Sequence, residues 1–549
     1  MMKKQAPNRN EQLWFKDAVI YELPVRAFFD SNKDGIGDFQ GIIQKLDYLE
    51  DLGVNTIWLL PFYPSPLRDG GYDITDYINV DADYGSLNDF KHFIKEAHNR
   101  NIKVITELLL NHTSDEHPWF KRAKKAKEHS RFRDFYIWSD TAEKFKEARV
   151  VITQNRKNWT WDPEAKAYYF HRFNVHEPEL NYDNPEVQLE MIKVIDFWLK
   201  LGVDGFRLAS VPFLFVEEGT NCENLPQTHA FLKKIRAHID KHYDKRVLLA
   251  EANLWPEEAA EYFGNGDECH VTFNYPLMPR LFLALRTEDS YPIADIMEQT
   301  PQAPENCQWA LFLRNHDEMG LEMVTEEEKD FLFKAYASDT ASKFNTGIRR
   351  RLAPLLNNDR RKIELLYTLL FSLPGTPVIY YGDEIGMGDN VYLGDRHGVR
   401  TPMQWNMNIN AGFSEANPQQ LYLPLITDPV YRYESVNVAM QVENPSSLIW
   451  WMRNTLAMRK RLKVFGRGNI EFIESNNSKV IAFSRSHNQQ RIIVVANLSQ
   501  FSQAAVLNFS NFKNCDITEV FSQNRFMSVK SGEYPITIGP YGYFWFEVD

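Results

Sequence analysis

The chain has 549 residues, a length that predicts two or three domains. Hydrophobic residues make up 44% of it, an ordinary share for a globular protein with a full core. The formal net charge is −12 and no basic stripe or Lys/Arg-rich tail is present, which argues against a nucleic-acid partner.

The chain carries no sequence signal for a membrane or for secretion. No uncharged apolar run approaches the ~18 residues of a membrane span, and the first 15 residues lack the apolar centre of a secretory signal. The four cysteines are scattered without a CxxC pair, so we expect reduced thiols rather than disulfides or zinc. Together these features predict a cytoplasmic protein that does not act at a membrane.

Eight short apolar runs recur along the chain, each followed by an amphipathic, helix-like stretch. They begin at Ala18, Thr56, Lys103, Gly205, Val247, His270, Trp309 and Pro377. Buried parallel strands are nearly continuous apolar runs, and eight of them with intervening helices match a closed (β/α)8 TIM barrel of the α/β class. An open doubly wound sheet could also contain eight strands, but no Gly-rich dinucleotide fingerprint follows the first.

The spacing of the runs predicts the domains. We assign the catalytic barrel to residues 1–110 and 179–463. The third and fourth runs are about 95 residues apart, far more than a loop and a helix need, which predicts an inserted subdomain over residues 111–178. A lid-like insertion follows the seventh run over residues 318–365. From 464 to 549 apolar and polar residues alternate between turn-forming residues, which predicts a C-terminal antiparallel β-sandwich.

Polar residues end several runs, where barrel enzymes build their sites. Breaking a glycosidic bond needs two carboxyl groups that flank one carbon, and Glu251 and Asp317 follow the fifth and seventh runs. Each carboxylate alone could instead cap a helix or pair with an arginine. Their combination with Arg207 and His112 at neighbouring strand ends favours an active site.

Five motifs make the similarity to a known family specific: GGYD (70–73), ELLLNH (107–112), GFRLAS (205–210), Glu251 and RNHDE (314–318). In this order they resemble the motifs of the α-amylase superfamily, family 13 of the glycoside hydrolases. The segments EGTNCENLP (218–226) and YLGDRHGVRTPMQW (392–405) are most similar to the trehalose synthases of that superfamily, which isomerise maltose to trehalose by retaining transglucosylation with some hydrolysis.

The resemblance implies a role for each matched residue. Glu251 would be the general acid and base, Asp317 would stabilise the transition state, and Arg207 would orient the nucleophile. The residues implied to bind the sugar are Tyr72, Asp73, His112, His316, Arg400 and, for the second glucose, Glu318. Glu107 stands where many relatives carry aspartate, a change that keeps the carboxylate.

Ala209 occupies the position of the family's nucleophilic aspartate, because this chain has GFRLA where the family pattern is GFRxD. A methyl group cannot attack an anomeric carbon, so the covalent route is closed. The chain is either a naturally silent sugar-binding protein or an enzyme whose nucleophile was replaced by engineering. Since the rest of the site is retained, we favour the second interpretation and expect sugar binding without turnover.

The segment DSNKDGIGD suggests a structural calcium site. It carries Asp30, Asn32, Asp34 and Asp38 at near-alternating positions around two glycines, and such oxygen donors suit Ca²⁺. A plain Asp/Asn/Gly turn is the alternative. Similarity to the calcium loop of oligo-1,6-glucosidases implies the Ile36 carbonyl as a further ligand. We expect no organic cofactor.

Two other functions stay open alongside isomerisation of maltose. One is an α-glucosidase or sucrose isomerase on the same barrel, and the other is a catalytically silent sugar-binding protein. The expected partners are small sugars, namely maltose, trehalose and glucose. Some trehalose synthases are fused to a maltokinase, so a separate maltokinase is a candidate partner here, and so is a second copy of this chain.

Overall fold

A computed structural model describes residues 9–152, 157–530 and 532–549. Residues 1–8, 153–156 and 531 therefore lie outside the described part, and with them small pieces of the predicted barrel, inserted subdomain and C-terminal domain. None of the described helices combines the length and apolar character that a membrane span requires. All four cysteines are free thiols.

Eight parallel strands close into a barrel in the order β1-β8-β7-β6-β5-β4-β3-β2, which confirms the predicted fold. These strands, β1 to β8, are Ile20–Leu23, Thr56–Leu59, Lys103–Leu109, Gly205–Ala209, Val247–Ala250, Val271–Phe273, Gln308–Phe312 and Thr376–Tyr380. Nearly every strand residue is buried, because helices cover the outer face and side chains fill the interior.

Helices surround the barrel and connect its strands. The α-helices are Arg9–Gln12, Val25–Phe28, Phe39–Gln44, Leu46–Leu52, Leu87–Asn99, Pro118–Ala123, Pro185–Leu201, Pro226–His242, Pro256–Ala260, Leu277–Thr287, Tyr291–Gln299, Glu326–Tyr336, Leu352–Leu355, Arg360–Ser372, Val438–Glu443, Leu448–Arg461 and Val464–Arg467. Short 3-10 helices are Trp14–Asp17, Ala82–Tyr84, Arg133–Phe135, Val211–Phe213, Glu261–Phe263, Asp383–Ile385, His397–Val399, Ile409–Gly412, Pro418–Gln420 and Ser510–Phe512.

The helix Pro185–Leu201 shows how local sequence sets these boundaries. The Asn184 side chain accepts a hydrogen bond from the Glu186 N–H, and Pro185 occupies the first helical position, where its missing N–H costs nothing. Gly202 ends the helix with a φ of 108°, a left-handed conformation that glycine adopts without a Cβ penalty. The chain is thereby turned back towards β4.

Two insertions extend the barrel at the C-terminal ends of its strands. The segment after β3 contains a three-stranded antiparallel sheet of Trp138–Ser139, Trp159–Asp162 and Ala167–Phe170. The segment after β7 contains a second small sheet of Met319–Gly320, Lys343–Phe344 and Gly347–Ile348. The helix that leads into β8 begins at Arg360, inside the range predicted for the lid-like insertion.

The C-terminal domain is the predicted antiparallel sandwich. Its strands, β9 to β15, are Asn469–Phe472, Val480–His487, Gln490–Asn497, Gln503–Asn508, Ile517–Glu519, Glu533–Ile538 and Tyr543–Val548. One sheet has the order β9-β10-β11-β15-β13 and the other pairs β12 with β14. Side chains such as Ile493, Leu507 and Phe546 form a separate buried core between them. The three-residue strand Ile517–Glu519 was not predicted from the sequence.

Candidate active site

A cavity of about 240 Å³ opens at the C-terminal ends of the barrel strands. Most of the predicted site residues line it, namely Tyr72, His112, Arg207, Ala209, Glu251, Asp317 and Glu318. The inserted subdomain adds Arg149 and Phe173, and the insertion after β7 adds Glu322 and Asn345. The cavity is thus bordered by both insertions as well as by the barrel.

The register between β3 and β4 brings two charged residues together. Glu107 lies opposite Arg207, and Leu109 lies opposite Ala209. Arg207 Nη1 donates to Glu107 Oε2 at 3.0 Å, and Arg207 Nη2 lies 2.5 Å from Glu251 Oε1. Although burial lowers the pKa of Arg207, the two carboxylates raise it well above its usual value. Arg207 is therefore a permanent cation between two acids.

Glu251 is held at the cavity wall by three donors. Besides Arg207, the Ser210 N–H donates to its Oε2 at 2.8 Å and the Tyr275 hydroxyl donates to its Oε1 at 3.1 Å. Ser210 has a φ of 54°, an uncommon conformation for a residue with a side chain. This turn follows directly on Ala209 and aims the Ser210 N–H at the carboxylate.

Asp317 is surrounded by positive charge. Its Oδ1 accepts from Arg396 Nη1 at 2.8 Å and from Arg400 Nη2 at 3.0 Å, and its Oδ2 lies 3.0 Å from His316 Nε2. Burial alone would raise the pKa of Asp317, but His316 and Arg396 outweigh it and hold the pKa well below its usual value. Asp317 is consequently ionised, as a group that stabilises a cationic transition state must be.

His316 joins Asp317 to a buried acid on β1. Its Nδ1 lies 2.5 Å from Glu22 Oε1, and its Nε2 lies 2.8 Å from the Tyr72 hydroxyl. The rings of Tyr72 and His316 are stacked with an interplanar angle of 11°. Burial lowers the pKa of His316, but the Asp317 and Glu22 carboxylates overcome it and raise the pKa to about 9. His316 is thus an imidazolium at neutral pH.

Replacing Glu22 with glutamine tests this ion pair. A raised pKa in the folded state means that His316 stabilises the fold fully below its unfolded pKa of about 6.5 and loses that contribution as the pH rises through about 9. In Glu22→Gln we expect the contribution of His316 to the free energy of unfolding to disappear at lower pH than in the parent. At neutral pH we expect the free energy of unfolding to fall by about 1–3 kcal/mol. Denaturant unfolding as a function of pH measures both, with the exposed Glu298→Gln as control. Coincident profiles for Glu22→Gln and the parent would contradict the assignment.

Asp73 does not lie where it was predicted. Its carboxylate is fully buried within its own loop and accepts from the Ser65 hydroxyl at 2.8 Å and from the Arg68 N–H at 3.1 Å. Asp69 lines the cavity instead and forms an ion pair with Arg396. The loop needs a carboxylate to satisfy its own N–H groups, and Asp73 fills that role. Asp69, not Asp73, is the carboxylate of this loop that lines the cavity.

His112 lines the cavity in its neutral form. Its Nδ1 lies 3.0 Å from Asn111 Oδ1, and its ring packs against Phe173. Burial lowers the pKa of His112 to about 3, so the ring is uncharged at neutral pH. Its buried Nε2 has no hydrogen-bond partner within the described part of the chain. This atom is available to a sugar hydroxyl.

Arg400 acts from behind the cavity rather than inside it. Its Nε donates to the His316 carbonyl oxygen at 2.9 Å, and the side chain lines a smaller neighbouring cavity. Arg396, four residues earlier, reaches into the main cavity and touches both Asp69 and Asp317. The sequence analysis did not single out Arg396, which lies in the same segment as Arg400 and lines the main cavity.

Hydrogen bonds tie the insertion after β7 to the rim. Asn345 Nδ2 donates to Glu318 Oε1 at 2.9 Å, and Asn253 Nδ2 donates to Glu322 Oε2 at 3.3 Å. Thr346 also donates to Glu322. Glu318, predicted to contact the second glucose, thus lies at the boundary between the reacting centre and the insertion.

The predicted calcium loop lies outside this cavity. Asp30 Oδ1 accepts from the N–H groups of Asn32 at 3.0 Å and Lys33 at 2.7 Å, and Asp38 Oδ1 caps the next helix through the Gly41 N–H at 2.6 Å. Asn32 and Asp34 are exposed. Across residues 9–152, 157–530 and 532–549, no three His, Cys, Asp or Glu side chains are close enough to form a metal cluster.

Comparisons with known proteins cover the whole chain. A family model described as alpha amylase, catalytic domain, matches residues 22–468, and one described as maltogenic amylase, C-terminal domain, matches residues 470–545. The chain is 51% identical to trehalose synthase/amylase TreS of Mycolicibacterium smegmatis, over 97% of this chain and 92% of the relative. It is 49% identical to trehalose synthase of Pimelobacter sp., over 98% and 96%.

A solved structure of similar fold is an inactive double mutant of MutB in complex with isomaltulose. It superposes with a TM-score of 0.79 at 25% identity, over 99% of this chain and 100% of that one. The similarity therefore extends from the barrel through the C-terminal domain.

Proposed function

Because the chain belongs to the α-amylase family of glycoside hydrolases, we propose that its barrel is built to isomerise maltose to trehalose. We propose further that the chain with Ala209 binds the sugar and does not complete the reaction. The observation that carries both statements is the cavity itself. Glu251 and Asp317 face one cavity with Arg207, Tyr72 and His112, and the residue at the nucleophile position, Ala209, lines the same cavity.

The geometry supports a retaining double displacement in the form with aspartate at 209. Glu251 donates its proton to the glycosidic oxygen as the bond to the anomeric carbon breaks and the carboxylate at 209 bonds to that carbon. The released glucose turns within the cavity, and its anomeric hydroxyl attacks the same carbon. The bond between that carbon and the carboxylate at 209 breaks as Glu251 takes the hydroxyl proton back. Asp317 stabilises the positive charge that develops in both steps.

Both insertions support isomerisation over hydrolysis. Water must be kept out while the released glucose turns, or the covalent intermediate is hydrolysed. Residues 149–152 of the inserted subdomain and Glu322, Asn345 and Thr346 of the insertion after β7 line the cavity, so the glucose would be bordered by both insertions as it turns. The chain is 51% and 49% identical to two trehalose synthases, which supports trehalose as the product.

Product analysis tests the proposed function directly. We expect the chain with Ala209→Asp to convert maltose mainly to trehalose, with free glucose as a minor product. Glucose as the main product would identify an α-glucosidase, and rearrangement of sucrose but not of maltose would identify a sucrose isomerase. The fold similarity to MutB makes sucrose the comparison substrate to include.

We also propose that the loop containing Asp30, Asn32, Asp34, Ile36 and Asp38 binds a structural Ca²⁺ ion. Its support is the chemistry of the donors, since carboxylate, amide and carbonyl oxygens are the ligands that calcium prefers. Asn32 and Asp34 are exposed and accessible to an ion. The ion would take no part in catalysis, because the loop does not line the active-site cavity.

Calcium is expected to raise the melting temperature of the chelator-treated protein. At a calcium concentration about 100 times the dissociation constant, the gain in free energy of unfolding is about 2.7 kcal/mol. Asp34→Ala should remove this gain, whereas Asp76→Ala, a change at another loop aspartate, should keep it. Equal melting temperatures with calcium and with chelator would reject the site.

The free thiols support a proposed location in the reducing cytoplasm. Maltose, trehalose and glucose are the small-molecule partners that the cavity is proposed to bind.

A further inference from the structure

A second cavity, of about 270 Å³, lies between the barrel and the C-terminal domain. Lys16 comes just before β1 and Cys307 just before β7, so the cavity is at the N-terminal end of the barrel, opposite the active site. Gly466 to Ile470 and Arg485 form its other wall. No residue of the active-site cavity contributes to it.

The charged side chains that line this cavity are all cations. They are Lys16, Arg467 and Arg485, and no aspartate or glutamate is among the lining residues. Arg467 is paired with Asp17 at 2.7 Å. Lys16 makes no ion pair within 4.0 Å with any residue that the structure describes, and burial lowers its pKa. Lys16 is thus a half-buried ammonium group on which the Asp17 and Glu305 carboxylates act only from beyond ion-pair distance.

Two buried arginines contribute to this positive charge, namely Arg485 of the lining itself and Arg459, which does not line the cavity but bonds next to the lining residue Pro374. Arg485 donates to the carbonyl oxygens of Phe465 at 2.9 Å and Gly468 at 2.8 Å, and Arg459 donates to that of Gly375 at 2.8 Å. Neither forms an ion pair within the described residues, and burial lowers the pKa of each to about 9. The two guanidinium groups are hydrogen-bonded to carbonyl oxygens but have no carboxylate ion-pair partner among the residues that the structure describes, although buried charges in proteins are usually paired.

The remaining walls resemble those of a sugar site. The Trp309 ring is fixed by a hydrogen bond from its Nε1 to the Pro301 carbonyl oxygen at 2.9 Å, and Met297 and Ile470 provide further apolar surface. Gln302 and Asn469 add amide groups that can bind hydroxyls. The volume is similar to the about 240 Å³ of the active-site cavity, which leaves room for more than a phosphate ion.

We propose that this cavity binds a phosphate monoester of a sugar, with the phosphate near Lys16 and the sugar against Trp309. A dianion neutralises the excess positive charge better than a single carboxylate does, and lysine is a common phosphate ligand. The aromatic and amide walls suit the sugar. This site goes beyond the proposed isomerase function, because it shares no residue with the catalytic cavity and does not depend on residue 209.

Calorimetric titration of the whole chain tests the proposal. The probe is glucose 6-phosphate, titrated in the presence of saturating maltose so that the active site is filled; inorganic phosphate and glucose are titrated separately. We expect one binding site per chain for glucose 6-phosphate. Lys16→Met should weaken it at least about tenfold, the loss of one charge-assisted hydrogen bond, whereas the exposed Lys95→Met should not change it.

A second variant addresses the case in which Lys16→Met folds poorly. Ala303→Phe fills the cavity without removing a charge, and it should also abolish binding of glucose 6-phosphate. Binding of inorganic phosphate as tight as that of glucose 6-phosphate would overturn the sugar part of the proposal. Absence of glucose 6-phosphate binding at millimolar concentration, or equal binding by the parent, Lys16→Met and Ala303→Phe, would overturn it entirely.

Discussion

Ala209→Asp is expected to raise the rate of maltose isomerisation by at least about a thousandfold, since loss of a nucleophile typically costs several orders of magnitude. Side chains two residues apart on a strand point the same way, so residue 209 points into the barrel as Arg207 does. An aspartate there would stand beside a guanidinium that already contacts Glu107 and Glu251. The measurement is trehalose formed per enzyme in a single turnover.

Ala209→Asn is the matched control for this gain. It has nearly the volume of aspartate and no charged oxygen, so it should fold and bind maltose like the parent and stay inactive. Titration of maltose into the unmodified chain should show binding without the appearance of glucose or trehalose. If Ala209→Asp bound maltose as well as the parent and still formed no product, the interpretation of position 209 as a missing nucleophile would be wrong.

Arg396→Ala is expected to weaken maltose binding by more than about a hundredfold. Arg396 pairs with both Asp69 and Asp317 in the cavity, and its removal leaves a buried and a half-buried carboxylate with reduced compensation. Breaking a buried ion pair in this way typically costs about 3–5 kcal/mol. The free energy of unfolding should fall as well, which calorimetric titration of maltose and denaturant unfolding measure on the same sample.

Two further variants separate charge from geometry at this position. Arg396→Lys keeps the positive charge but cannot bridge both acids with one planar group, so its maltose affinity should lie between those of the parent and Arg396→Ala. Arg361→Ala removes an arginine whose side chain is 62% exposed and should leave both measurements unchanged. Maltose affinity unaltered in Arg396→Ala would show that the arginine does not help to form the sugar site.

The fold was predictable because its signals are long and repeated. Eight buried apolar runs and the later change to alternating patterns correspond to observed strands, and the motifs at their ends identify Glu251 and Asp317. The strand Ile517–Glu519 escaped prediction because three residues are too few to show a period. The periodicity of a long segment indicates its secondary structure, whereas a short strand is defined only by its pairing with neighbouring strands.

The site residues that the sequence analysis missed were hard to predict for a different reason. Asp69 and Arg396 lie in irregular loops, where no periodicity tells which of two neighbouring charged residues faces the cavity. Asp73 matched a family motif, yet its carboxylate is used by its own loop. Glu22 sits within an apolar strand, and only the closed barrel shows that it meets His316. The contacts of Glu22 with His316 and of Asp69 with Arg396 join segments that are distant in the chain, so local sequence does not encode them.

The ion cluster of Asp69, Asp317 and Arg396 also bears on the order of folding. Its members follow β2, β7 and β8, and 327 residues separate Asp69 from Arg396 along the chain. Contacts between such distant segments form only after a long loop has closed, and closing it costs conformational entropy that the contacts then offset. The cluster needs the segments that follow β2, β7 and β8 to be in place together. We therefore expect a chain in which the segment after β8 has not folded to lack this cluster, so that affinity for maltose depends on residues from both halves of the barrel.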